Sequence, residues 1–141
     1  MSPFSKLLHD LRMRRGFRQA DLAEALGYEQ SYISALELGI KGPPTEAFIE
    51  KLIQVFDIPA VDQENIRTTA DASVRKLVID HDSPSDIYWL LRDLRSEVDR
   101  LSPHKVKLIR DLIHLQDAAP MNRSDPPHSI KRRRKKEEAK M

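Results

Sequence analysis

Apolar residues recur three or four positions apart along most of the chain, and no stretch shows the alternation of a half-buried strand. Glycine and proline fall mainly between the periodic segments. The pattern predicts an all-α fold. Ser2 is placed to cap a first helix that opens on Pro3, where the missing amide proton costs nothing. Phe4, Leu7, Leu8 and Leu11 form its apolar face, and Gly16 ends it. A second helix is predicted from about Gln19 to Leu26, with Leu22, Ala23 and Leu26 inward and Gly27 as its stop. A third follows after a gap of about three residues, from about Gln30 to Leu38, and stops at Gly39. Gly42-Pro43-Pro44 reads as a loop. A fourth helix, about Thr45 to Phe56, buries Phe48, Leu52, Val55 and Phe56, and Ile58-Pro59 ends it. A fifth is predicted over about Asp62 to Leu77, with Ile66, Ala70, Val74 and Leu77 on one stripe.

Two further helices carry stronger start signals. Ser83-Pro84-Ser85-Asp86 offers a cap, a proline at the first position and an acid in the first turn, where the helix dipole favours it. Ile87, Leu91, Leu94, Val98 and Leu101 then step by four and three, as in a short heptad seam. Such a seam either packs on its own chain or pairs with a second copy. Ser102-Pro103 repeats the start signal, and Val106, Ile109, Leu112, Ile113 and Gln116 share the next face. From Ala118 the chain turns rich in Pro, Ser and Asn and then runs through the basic stretch Lys131–Lys136, so disorder is expected there. The predicted organisation is thus a five-helix domain over residues 3–72, a helical hairpin over 73–118 that offers a dimerisation surface, and a basic tail over 119–141.

Charge changes how this organisation is read. The net charge is +2, and Met121 onward contributes +5, which leaves −3 on residues 1–120. A partner attracted by positive charge must therefore be held by local groups, with the tail adding sequence-independent affinity if the partner is a polyanion. The tail also has two plainer readings, a solvated end or a nuclear-import signal. The chain has no cysteine, which excludes disulfides and thiolate metal sites. The five histidines are scattered without metal-ligand spacing, and no phosphate-binding glycine loop or serine elbow is present, so neither a cofactor nor an enzyme is expected. No apolar run approaches the roughly 20 residues of a membrane span. The opening Met1-Ser2-Pro3-Phe4 lacks a basic segment followed by an apolar one, so a cytoplasmic location is expected, and Asn122-Arg123-Ser124 is a glycosylation sequon only by chance.

The segment from Gln19 to Gly39 joins two short helices by a tight turn that begins with glycine. Ala23 sits where they must approach closely, and Ile33 and Leu36 anchor the second helix on one face. Gln30, Ser31, Ser34 and Ala35 are left over, with Tyr32 to one side. Small and amide side chains of this kind can read base edges: Gln suits adenine, Ser is adaptable, and Ala touches the thymine methyl.

Here the sequence resembles the phage-repressor-like (Cro/repressor, xenobiotic-response-element) helix-turn-helix family. The matching elements are Leu11-Arg12, Gly16 through Ala23, Leu26-Gly27, Ser31-Tyr32-Ile33-Ser34 and Leu36-Glu37-Leu38-Gly39, then Pro43, within roughly residues 4–60. The resemblance implies a sequence-specific, DNA-binding transcriptional regulator, a repressor acting as a homodimer on an inverted repeat of double-stranded DNA. It implies a phosphate contact for Gln19, base contacts for Gln30, Ser31, Ser34 and Ala35, a phosphate or base contact for Tyr32, and a backbone contact for Lys41. It also implies an internal ion pair between Arg12 and Glu37. Two positions depart from the family pattern. Arg18 stands where Ser, Thr or Asn usually caps the helix, and a phosphate contact is the expectation in its place. Glu29 stands at the cap of the recognition helix, where it repels phosphate but can accept from cytosine N4. The alternative reading keeps the fold for protein binding, as in an antitoxin whose C-terminal helices hold a protein partner.

Overall fold

The side chain of Ser2 accepts a hydrogen bond from the Ser5 amide at 3.2 Å, and this cap starts the first helix at Pro3. The computed structural model describes residues 1–116. Within them the chain forms α1 (Pro3–Arg14), α2 (Gln19–Leu26), α3 (Gln30–Glu37), α4 (Glu46–Phe56), α5 (Ala60–Asp71), α6 (Ser85–Glu97), a 3₁₀ turn (Val98–Arg100) and α7 (Pro103–His114). No strand occurs among the described residues, so the all-α class holds. The expected basic tail, residues 119–141, lies outside the described residues.

The chain divides into two units, one from Met1 to His81 and one starting at Asp82. The first unit holds helices α1 to α5 around a single core. Leu8, Leu22, Ile33, Phe48 and Leu52 are fully buried there, one or more from each of α1 to α4, and Ile66 and Ala70 close the core from α5. Its aromatic groups meet edge to face: Phe4 on Phe48 at 6.3 Å and Phe17 on Phe56 at 5.6 Å between ring centroids. α4 is capped by Thr45, whose hydroxyl accepts from the Phe48 amide at 3.3 Å. It ends at Asp57, the one non-glycine residue with positive φ (48°) among the described residues.

The fifth helix is shorter than the periodicity predicts. It stops at Asp71 rather than Leu77, and Val74 and Leu77 are 52% and 73% exposed instead of continuing the stripe of Ile66 and Ala70. Ser73 accounts for the stop. Its hydroxyl donates to the Thr69 carbonyl at 2.8 Å and accepts from the Phe4 amide at 2.9 Å. The first-turn amides of a helix have no partner within it, and Ser73 supplies one for α1. That tertiary bond fixes the chain end of α5 against the start of α1, and the helical period of the next residues goes unused. The start of α5 also lies two residues earlier than expected, at Ala60, within the ordinary uncertainty of helix ends.

In the second unit, Ser102 caps α7 by accepting from the Lys105 amide at 3.2 Å. Neither α6 nor α7 contains a buried residue. Ile87, Leu91 and Leu101 of the predicted seam are half-buried, while Val98 is 55% exposed in the 3₁₀ turn that breaks the α-helical register.

Candidate nucleic-acid interface

The turn between α2 and α3 follows from its residues. Gly27 takes φ 74°, a left-handed conformation that a side chain would strain. The Tyr28 amide then donates back to the Ala23 carbonyl at 2.9 Å, which closes the end of α2 and turns the chain directly into α3. Ala23 is buried where the two helices cross, and its small side chain permits the close approach. Ile33 and Leu36 plug α3 into the core with essentially no exposed surface.

α3 has a third anchor, and it is ionic. Glu37 is buried at the end of the helix, facing α1 and α2. The Arg12 guanidinium grips it with two donors, Nε to Oε1 at 2.5 Å and Nη2 to Oε2 at 3.0 Å. The same guanidinium donates from Nη1 to the Phe17 carbonyl at 2.9 Å, so it also holds the turn between α1 and α2. Gln19 Nε2 donates to Glu37 Oε2 at 3.0 Å, and His9 Nδ1 lies 3.3 Å from that oxygen. Burial on its own would raise the Glu37 carboxyl. The hydrogen bonds from Arg12, Gln19 and His9, with the charge of Arg12, outweigh it and hold the group below its usual value. The bond to Glu37 raises Arg12 in turn, against the opposing effect of its own burial.

The sign for stability follows from the carboxyl. A depressed folded-state value stabilises the fold at pH above the unfolded value of about 4.5, and the contribution is lost as pH falls through the lower folded value. Urea denaturation from neutral pH downward is therefore expected to show a steeper acid loss of stability in the parent than in Glu37→Gln. Equal slopes would mean that Glu37 is not the group responsible.

The remaining predicted residues distribute as follows. Gln30 and Ser31 are exposed at the start of α3, and Ser34 and Ala35 are half-buried one turn on. Glu29 is the N-cap of α3 but makes no side-chain cap bond; its carboxylate instead accepts from the Ser31 hydroxyl at 3.4 Å. Arg18 is exposed at the N-cap of α2. A guanidinium has no acceptor and cannot cap an amide, so only the reverse half of a capping box forms, with Asp21 accepting from the Arg18 amide at 3.1 Å. Lys41 is exposed beyond α3, its ammonium 5.7 Å from the centroid of the Tyr32 ring.

Tyr32 is the residue whose surroundings differ most from the sequence picture. Its ring stacks on Tyr28 at 5.2 Å and meets the edge of Phe48 at 5.7 Å. Burial, with a smaller contribution from Tyr28, raises its phenol. The ring is thus largely a packing element that supports the outer face of α3. Sequence reasoning missed two participants. Tyr28 stacks under Tyr32 and carries Lys51 over its own ring at 4.9 Å. His9 joins the Glu37 cluster, and the only signal for it was its position one turn before Arg12.

A family model described as a helix-turn-helix domain matches residues 3–65. The chain is similar to the uncharacterized HTH-type transcriptional regulator RghRB of Bacillus subtilis (strain 168), with 37% identity over 70 residues. That match covers 50% of this chain and 48% of the relative, so the chain spans about half of that protein's length. Among solved structures, the SinR protein/SinI protein complex aligns with a TM-score of 0.40 at 23% identity, over 78% of this chain and 93% of the other. The residues matched by the family model are those that form α1 to α4, the tight turn at Gly27 and the first half of α5. Residues 3–65 are thus similar to a helix-turn-helix domain, and they fold into the paired helices and tight turn that such a domain is named for.

Proposed function

We propose that this protein is a sequence-specific DNA-binding transcriptional regulator that presents α3 to the major groove, and that it acts as a repressor by occluding a promoter. One observation carries the reading. α3 is fixed by three inward groups, Ile33, Leu36 and Glu37, while Gln30 and Ser31 stand exposed at its outer start. A recognition helix needs that combination of rigid seat and unoccupied polar face. The named role of the Bacillus relative supports it. In this reading residues 3–72 are the DNA-binding domain, and Arg18, Gln19 and Lys41 supply phosphate contacts that the net −3 of residues 1–120 cannot supply in bulk. Glu29, Gln30, Ser31, Ser34 and Ala35 face the bases, and Tyr32 supports them. The protein works in the cytoplasm; no helix among the described residues is long and apolar enough to cross a membrane.

Two-fold operators require two copies. The half-buried seam of Ile87, Leu91 and Leu101, within the proposed dimerisation region 73–118, supports a homodimer with half-sites about one turn, roughly 34 Å, apart. Trp89, Leu90, Leu112 and Ile113 are 60–72% exposed and favour a second reading, in which α6 and α7 also hold a protein partner, as an antitoxin would.

Gln30→Ala is expected to cost about 1–3 kcal/mol of specific affinity and to relax one base position. Gel-shift titration on the selected site and on single-base variants measures both. Undiminished affinity with unchanged preference would remove Gln30 from the base-reading set.

A further inference from the structure

Resting on the DNA-binding reading, we propose that Lys51, on α4, is a further phosphate contact, and that Tyr28 positions it beside the start of α3. The Lys51 ammonium lies 4.9 Å from the centroid of the Tyr28 ring, within cation–π range. It also stands at the tight turn itself, where a side-chain carbon on Gly27 would come 4.0 Å from it. Tyr28 stacks on Tyr32 at 5.2 Å, and the Lys41 ammonium lies 5.7 Å from the centroid of the Tyr32 ring. Two lysines from different parts of the chain are thus joined through one pair of stacked rings. One of them, Lys41, already falls where the DNA reading expects a backbone contact.

How the two ammoniums are held decides what they can bind. Arg12, Arg18 and Arg67 of the first unit sit against carboxylates, which cancel their charge locally. Among the described residues, neither Lys41 nor Lys51 has such a pair. A ring face attracts an ammonium without neutralising it and leaves its N–H donors for another acceptor. It also restrains a long side chain in advance. A free lysine loses much rotamer entropy when a ligand immobilises it, and one already resting on a ring loses less. Lys51 is exposed, so an incoming anion reaches it directly.

The place of this cation indicates the anion. Tyr28 directly precedes Glu29, the N-cap of α3, and the exposed Gln30 and Ser31 follow. The DNA reading sends those residues into the major groove, which is about 12 Å wide and bordered by phosphates. A cation fixed beside the entering helix, on a neighbouring element, meets that border rather than the base edges. Residues 1–120 carry −3, so bulk charge does not draw a polyanion here, and each unneutralised cation next to α3 adds to affinity.

Binding of the full chain to the selected duplex and to an unrelated duplex of equal length, titrated with salt, tests the proposal. Lys51 is exposed, so Lys51→Gln is expected to fold as the parent does. It is expected to lose affinity several-fold at low salt, by the same factor on both duplexes, and to lower the slope of log affinity against log salt by about 1. Lys6→Gln removes the same charge from the groove between α1 and α5 and is expected to change neither quantity. Tyr28→Phe keeps the ring and is expected to bind like the parent. Tyr28→Leu is expected to lose affinity, and to lose less in the Lys51→Gln background than in the parent. A Lys51→Gln protein with parental affinity or an unchanged salt slope overturns the phosphate contact. So does a loss that Lys6→Gln matches, or one confined to the selected duplex. Equal Tyr28→Leu losses in both backgrounds, or a Tyr28→Phe protein that binds like Tyr28→Leu, overturn the positioning role. A parent that binds neither duplex removes the DNA reading and this proposal together, whereas a parent that binds beside an unaffected Lys51→Gln removes this proposal alone.

Discussion

Arg12→Ala is expected to destabilise the first unit by about 3–5 kcal/mol, the cost of leaving a buried charge without its partner. The Arg12 and Glu37 side chains are only 11% and 5% exposed, so water cannot take the place of the guanidinium. Three groups lose a donor together: both Glu37 oxygens and the Phe17 carbonyl. Among the described residues no buried side-chain polar atom lacks a partner, and this substitution leaves Glu37 Oε1 as such an orphan at the junction of α1, α2 and α3, while Oε2 keeps Gln19 and His9. Lysine is not an adequate replacement, because one ammonium cannot span two carboxylate oxygens and a carbonyl in a fixed fork. The pair itself is a different matter from the broken pair. Replacing both members by apolar residues of similar volume, as in Arg12→Met with Glu37→Leu, is expected to recover most of the lost stability, since desolvation offsets much of the pair's attraction. Urea denaturation of the two single variants and the double variant gives the coupling directly. Single variants that each lose under about 1 kcal/mol would mean that the site is wet and the anchor weak.

Phe48→Ala is expected to cost a similar amount, about 3–5 kcal/mol, by a different route. The ring is wholly buried and meets three other rings, Phe4 at 6.3 Å, Tyr28 at 5.2 Å and Tyr32 at 5.7 Å. Removing it opens a cavity beneath the stacked tyrosines that support the outer face of α3. Two measurements separate the consequences. Denaturation reports the lost burial, and DNA affinity measured well below the unfolding transition reports the loosened seat. Phe48→Leu fills much of the space and is expected to keep the affinity while losing part of the stability. A Phe48→Ala protein with parental stability would show that α4 does not pack as described.

The readable and unreadable parts of this fold differ in the distance over which their causes act. Ser2 and Ser102 were legible as caps because a cap is satisfied within three residues. The turn at Gly27 was legible because positive φ at a helix end selects glycine. The end of α5 was not, because Val74 and Leu77 continue a helical period that only the bond between Ser73 and Phe4, 69 residues apart, interrupts. The meeting of Arg12 with Glu37 was accessible only through the family resemblance, since nothing local relates positions 25 apart. Tyr32 reads as a surface aromatic on α3 until Tyr28 and Phe48 are placed beside it. The same limit hid His9, which belongs to a cluster assembled from three helices. Gln30 and Ser31 remain the residues whose sequence reading and position agree most simply: polar, at the start of α3, and exposed.

The central claim is that α3 reads DNA sequence. Selection of binding sites from random duplex DNA by the full chain, followed by the same selection with Gln30→Ala, tests it most directly. The account predicts an enriched consensus of two related half-sites about one helical turn apart, with one position in each relaxed by the substitution. A folded protein that enriches no consensus, or a consensus indifferent to Gln30, would contradict it.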